Sequence, residues 1–239
     1  MRTWTLCSQC ATDMPGAETK VYVELNDALL FDTKCPRGHP ILQTLETTRF
    51  SLLFDFGIAA MSDGYFREAV SSFAAAVERL HEFSIRVICK RRGVSIDMFD
   101  KGWKDIASQS ERQLGAFSML YLSQAKCPPS LIDSKFRNKV IHKGYLPNAI
   151  ETFKYAKEVH DNMLQILMYI CENLQGESDA VWIEERAARA NGRTELQTTS
   201  HGNANFISRT LDPVRSTMTF EEKLKIFAKG WPESRWIFK

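Results

Sequence analysis

FREAVSSFAAAVERLHEFSIRV, residues 66–87, sets the fold class. Phe66, Val70, Phe73, Val77, Leu80, Ser84 and Val87 recur at steps of three and four, the spacing of one face of an α-helix. No proline interrupts the stripe, and Gly93 supplies a stop. Upstream, Phe50 to Met61 predicts another apolar helix, closed by Ser62-Asp63-Gly64. Downstream, Ile106 to Tyr121 predicts a third, ending near Pro128-Pro129. Ala149, Phe153, Ala156, His160, Met163, Leu167, Ile170 and Leu174 form a further long stripe, opened by Pro147 and closed near Gly176. The period of about 3.6 holds over residues 44–175 and predicts a mainly α protein, an antiparallel four- or five-helix bundle.

Residues 1–43 follow another pattern. Cys7 and Cys10 form a C-x2-C pair, and Cys35 with His39 forms a C-x3-H pair. Two tight turns, each offering two soft or borderline donors, match the tetrahedral site that zinc prefers. Val21-Tyr22-Val23-Glu24-Leu25 alternates as a strand does, Leu29-Leu30-Phe31 leads into the second turn, and Gly38 lets the backbone fold sharply. These features predict a small β zinc-ribbon module of the Cys3His type. A closed set of four ligands makes the expected zinc structural, and in so short a module it would supply most of the folding energy.

The 239 residues are 44% hydrophobic and 25% charged, which excludes wholesale disorder, and the net charge of +2 does not mark a nucleic-acid binder. Local excesses are more informative. Arg86 to Lys104 holds six basic and two acidic residues, and Lys126 to Lys143 holds five basic and one acidic. They suggest an anion site or a solvated helix face. The start lacks an apolar leader region and no apolar run approaches a membrane span, so a cytoplasmic protein without membrane contact is expected. Residues 176–205 read as a polar linker holding a short helix near Ala180 to Ala190. Residues 206–239 read as a helix over Phe220 to Lys229 and a tail whose Trp231 and Trp236 would dock on the body or on a partner.

The stretch SKFRNKVIHKGYLP, residues 134–147, concentrates the chemistry. If it is helical, Asn138 and His142 stand at i and i+4 on one face, and Arg137 must bring its guanidinium round from about 140° away. On chemistry alone, His142 is as well explained as a histidine near a helix C-terminus, with Arg137 as a surface cation.

Arg137-Asn138-Lys139-Val140-Ile141-His142 resembles the R-N-x3-H motif of the HEPN superfamily, and Phe73 to Phe83 resembles an early helix of its fold, with a polar residue near the site. The resemblance covers Thr44 to Leu174. It implies a helical bundle and a metal-independent endoribonuclease in which an RNA 2′-hydroxyl attacks its own phosphate. His142 would move protons, Arg137 would hold the phosphate, and Asn138 would orient His142 or bind a phosphate oxygen. Lys135, Lys139 and Lys143 would attract the RNA backbone, and Glu78 would orient Arg137 or stand as a surface carboxylate. Some members place a Tyr two residues after the His. Here Tyr145 follows at three, so it is equally well read as packing at the bundle end. The resemblance also implies a homodimer that pairs two motifs, and a toxin or antiphage effector that a regulatory or triggering protein could control. The alternative is a non-catalytic adaptor that binds RNA, nucleotide or protein and docks through the zinc module. His81 and His160 fall on or near apolar stripes and are expected in the core.

Overall fold

The computed structural model describes residues 2–14, 20–193, 197–199, 206–210 and 217–230; Trp231 and Trp236 lie outside them. Nine helices and five short strands are present among the described residues. They fall into two compact units, one built on residues up to 47 that resumes at 183, the other on 48–182 with 206–228. No described helix is long and apolar enough to cross a membrane.

In the first unit β1 (Arg2–Leu6) pairs antiparallel with β2 (Lys20–Glu24), and between them lies α1 (Ser8–Asp13). A second sheet joins β3 (Leu30–Lys34) antiparallel to β4 (Pro40–Leu45), in the register Phe31 opposite Gln43 and Thr33 opposite Ile41. The strand β5 (Gln197–Thr199) adds in parallel to β4. In β2 the alternation buries Val21 and Val23 and exposes Lys20, Tyr22 and Glu24. Because β4 runs through Leu45, this unit extends past the expected boundary at residue 43, to Thr47.

The second unit is helical. α2 (Arg49–Ser62) and α3 (Phe66–Arg91) form a hairpin across Asp63-Gly64-Tyr65, where Gly64 takes φ +82°. They are followed by α4 (Ile96–Trp103), α5 (Ser110–Ala125), α6 (Ser134–His142), α7 (Ala149–Asn173) and α8 (Gln175–Ala190), the last shared with the first unit, and by α9 (Phe220–Gly230). The helix α3 lies at the centre and packs against α2, α4, α5, α6 and α7. Phe50, Phe54, Phe73, Leu80, Phe117, Met163 and Leu167 are fully buried. Asp55, also buried, accepts from the backbone N–H of Phe206 at 2.7 Å and fixes the segment 206–210 on the core.

Two expectations need correcting. The helix expected over Ile106 to Tyr121 is α5, which begins later, at Ser110, and runs on to Ala125; Ile106 sits in the turn that follows α4, a helix the periodicity does not predict. Ser95 caps α4, and the buried Gln113 amide donates to the Ala107 carbonyl and accepts from Arg79 at 3.2 Å, which satisfies the turn's polar groups. The short helix expected near Ala180 to Ala190 is present but starts earlier, at Gln175, and Gly176 lies in the first turn of α8 instead of closing α7. A polar sequence sustains this helix through two buried residues, Ser178 and Val181, through an ion pair and through a hydrogen bond. Glu177 meets Arg91 at 2.9 Å, and Arg189 donates to the Thr47 carbonyl at 3.1 Å.

The α2–α3 contact depends on a missing side chain. A Cβ at Gly57 would stand 2.5 Å from Phe73 Cδ1 and nearer still to Cε1, inside a ring that is fully buried. Gly57→Ala should therefore lower stability by about 1–3 kcal/mol through overpacking. Gly115, exposed in α5 with open space around it, should behave oppositely, Gly115→Ala gaining about 0.5–1 kcal/mol. Urea titration of both variants checks the pair, and a neutral Gly57→Ala would contradict the packing described.

Candidate functional site

Cys7 is the N-cap of α1, so its sulfur faces the first helical turn and accepts from the Cys10 N–H at 3.5 Å. The β3–β4 turn brings Cys35 and His39 together. The Cys35 N–H donates to the His39 carbonyl at 3.0 Å, and Gly38 adopts φ +86°, a left-handed conformation suited to glycine. The four ligand atoms lie within 4.8 Å of one another and could hold a metal ion. Cys10 Sγ is 3.7 Å from Cys35 Sγ and 3.3 Å from His39 Nδ1, and Cys7 Sγ is 3.7 Å from the same nitrogen. A tetrahedral ion with metal–sulfur bonds of about 2.3 Å and metal–nitrogen bonds of about 2.0 Å needs S···S edges of about 3.8 Å and S···N edges of about 3.5 Å. The donor set fits. Burial pushes the Cys35 thiol up, but hydrogen bonds from the Arg37 and His39 backbone and from Cys10 and Cys7 outweigh it and hold the thiol below its usual range. The far nitrogen of His39 faces the Asp13 carboxylate at 4.0 Å, an outer partner that the spacing of the four ligands does not reveal. Cys89, Cys127 and Cys171 stand outside the cluster.

Asp133 caps the second feature, α6, by accepting from the Lys135 N–H at 2.9 Å. Val140, fully buried, anchors the helix on the core, and the Phe136 ring packs 5.3 Å from Tyr155. This anchoring holds Arg137 and Asn138 half-buried beside α3. The Arg137 guanidinium donates to Asn138 Oδ1 at 3.0 Å and pairs with the Glu78 carboxylate across the helices. Glu78 thus faces Arg137 while its side chain stays 29% exposed.

The remaining candidates lie further along. His142 is the last residue of α6 and is exposed, as are Lys135 and Lys143. Gly144, at φ +68°, ends the helix. Lys139 places its ammonium 3.3 Å from the centre of the Tyr145 ring. The Tyr145 hydroxyl donates to Glu151 at 2.8 Å, and this bond to the carboxylate is the main cause that raises its pKa. Glu151 is itself tied into the α7 capping box with Asn148. Tyr145 thus braces the start of α7.

A cleft of about 130 Å³ opens between α3, α5 and α6, and its walls include Glu78, His81, Arg137, Asn138 and Tyr155. His142, Lys139, Lys143 and Tyr145 are not among them. The structure therefore brings Arg137, Asn138 and Glu78 together and sets His142 apart at the helix end. His81 was expected in the core, and it is 6% exposed, with its ring stacked on Phe117 at 4.1 Å. Its place on the cleft wall had a visible signal. Ala74, Val77, Glu78 and His81 follow the i, i+3, i+4, i+7 pattern, so a carboxylate and an imidazole share one stripe.

Comparison of the chain with protein-family models, with curated proteins and with solved structures finds no match in any of the three.

Two measurements test these sites. Cys35→Ser should release bound metal and unfold the first unit while the helical melt persists, checked by metal analysis together with far-ultraviolet circular dichroism. The second concerns His81, whose pKa burial lowers from the usual 6.5 to about 4. Between those values the unfolded chain takes up a proton that the folded chain refuses. The contribution is complete above pH 6.5 and is lost as pH falls, by about 2 kcal/mol between pH 7 and pH 5. His81→Phe should remove that part of the acid sensitivity, and identical pH profiles for the two proteins would contradict it.

Proposed function

We propose that this chain is an endoribonuclease whose site is built on α6 and whose amino-terminal unit is held by a structural zinc ion. The observation that carries the reading is the placement of Arg137 and Asn138 beside Glu78 on the cleft wall, with His142 free at the end of the same nine-residue helix. Three thiols and one imidazole fill all four positions of a tetrahedral zinc site, which leaves none for a substrate and makes its role structural. The metal takes no part in the proposed cleavage.

In that reaction the RNA 2′-oxygen forms a bond to phosphorus while the bond from phosphorus to the 5′-oxygen breaks, leaving a 2′,3′-cyclic phosphate. A base takes the 2′-hydroxyl proton and an acid protonates the departing 5′-oxygen. The imidazole of His142, exposed at the helix end, can reach a substrate for either transfer. Arg137 holds the phosphate through its planar fork, Asn138 orients that fork, and Glu78 keeps it from the solvent side. Lys135, Lys139 and Lys143 raise the local concentration of RNA. An in-line displacement uses its base and its acid on opposite sides of phosphorus, and one imidazole cannot stand on both. A homodimer that pairs two copies of α6 supplies the second. The setting that fits is a toxin or antiphage effector restrained by a partner protein.

A second reading draws on the Glu78–Arg137 pair itself. A guanidinium already neutralised binds phosphate less strongly, which suits an adaptor that recognises RNA or protein without cutting it.

Single-turnover cleavage and binding of an RNA with 2′-deoxyribose at the scissile position separate the two. His142→Ala should cut turnover by about 10²–10⁴-fold or more and leave binding of the uncleavable RNA nearly intact. Arg137→Ala should weaken that binding, and Arg137→Lys should restore binding better than rate. If His142→Ala loses binding as severely as Arg137→Ala, α6 is a binding surface and the adaptor reading takes over.

A further inference from the structure

We propose that the Tyr155 hydroxyl, set in the cleft beside Arg137 and Asn138, donates to a non-bridging oxygen of the scissile phosphate. This rests on reading α6 as an RNA-cleaving site and adds to it a further donor, carried by α7.

Tyr155 is 5% exposed, and its ring packs on Phe136 of α6. It lines the cleft together with Arg137, Asn138 and Glu78, and the charges of Arg137 and Glu78 both act on its phenol. Its hydroxyl has no hydrogen-bond partner among the described residues. A phenol placed so deeply ordinarily finds one, because a bond left unmade away from water is costly. A ligand oxygen in the cleft would provide it. Burial pushes the Tyr155 phenol up, and the Arg137 charge beside it offsets only part of that rise, so the group stays an O–H donor near neutral pH.

Size selects the ligand. An engineered cavity of about 150 Å³ holds one benzene. The cleft, at about 130 Å³, is smaller. A phosphoryl group, phosphorus with its two non-bridging oxygens, has half the heavy atoms of benzene and fits, while base and ribose stay outside.

Charge places that group at the Arg137 end. Glu78 is matched by Arg137, Asp133 faces Lys135 at 3.7 Å, and Glu111 is exposed to solvent. Arg137 spends one N–H on Asn138 and one on Glu78, which leaves three of its five donors. Asn138 accepts through Oδ1, so its amide N–H groups are left to donate as well. Sharing with Glu78 weakens the hold of Arg137 on phosphate. A neutral hydroxyl adds a donor without adding charge, and its bond strengthens as negative charge gathers on the phosphoryl oxygens in the transition state.

Tyr155→Phe in the full chain keeps the ring against Phe136 and removes the hydroxyl alone, so it should melt no lower than wild type. In single-turnover cleavage it should be slower by about 10²-fold, the scale of one lost oxyanion donor, while binding RNA with 2′-deoxyribose at the scissile position nearly as tightly as wild type. A scissile phosphate with sulfur in place of one non-bridging oxygen gives a readout that a merely structural role would not move. Sulfur accepts hydrogen bonds weakly, so one of the two diastereomers should slow wild type by about tenfold and Tyr155→Phe hardly at all. In wild type labelled with fluorotyrosine, the fluorine resonance that Tyr155→Phe deletes should shift when the uncleavable RNA binds. Cleavage by Tyr155→Phe at the wild-type rate, equal sulfur effects in both proteins, or a Tyr155 resonance unmoved by saturating RNA would each overturn the assignment. A variant that cuts RNA as fast as wild type leaves the nuclease reading standing without Tyr155. A protein that cuts no RNA, but whose Tyr155 resonance shifts on binding it, keeps the phosphate contact and removes the nuclease. A protein that neither binds nor cuts RNA removes both.

Discussion

The withdrawal of α3 from water is the constraint on which the helical unit depends. This helix of 26 residues meets five others, and Val70, Phe73, Leu80 and Val87 on its stripe are fully buried. Close packing on so many sides leaves little freedom to slide or rotate, because protein interiors are packed as densely as organic crystals. Gly57 makes the α2–α3 contact possible, since only a residue without Cβ admits the Phe73 ring. Everything attached to α3 inherits that rigidity, including Glu78 and His81.

The Glu78–Arg137 pair shows how the rigidity is used. Their side chains are 29% and 21% exposed, so the pair is partly wet and contributes modestly to stability. Its effect is positional. A long guanidinium on a nine-residue helix is directed to the edge of the cleft by a carboxylate on the helix that packs against five others. The same pairing moderates the positive charge that Arg137 offers. The exposed Lys135, Lys139, His142 and Lys143 keep the outer end of α6 basic while the cleft stays acidic.

The two buried histidines differ in how they are satisfied. His160 sits among Phe54, Phe206 and Phe220, yet its Nδ1 meets Asp161 at 2.8 Å and its Nε2 meets the Lys223 ammonium at 2.9 Å. It ties α9 to α7 and needs nothing further. The ring of His81 is stacked on Phe117, but its buried Nε2 has no partner among the described residues. Burial lowers the pKa of both, so desolvation alone does not distinguish them. Partnering does.

Periodicity alone determined the helices with strong apolar stripes, since burying a face demands a repeat near 3.6. The spans from Phe50, Phe66 and Ala149 were legible for that reason, whereas the helix over 134–142, only conditional in the sequence, is capped by Asp133 and anchored by buried Val140. The spacing of Cys7, Cys10, Cys35 and His39 likewise determined the ligand cluster, because short turns leave two donors few places to go. The sequence did not carry the rest in local form. The break between α4 and α5 depends on Gln113 reaching back to Ala107 and across to Arg79, and α8 depends on partners such as Arg91 and Thr47, more than eighty residues away in sequence. The union of Glu78 with Arg137 spans 59 positions, and the opening of His81 onto a cleft requires three helices to be in place. Those arrangements were decided by tertiary packing, because a hydrogen bond or ion pair between distant residues leaves no period in the chain.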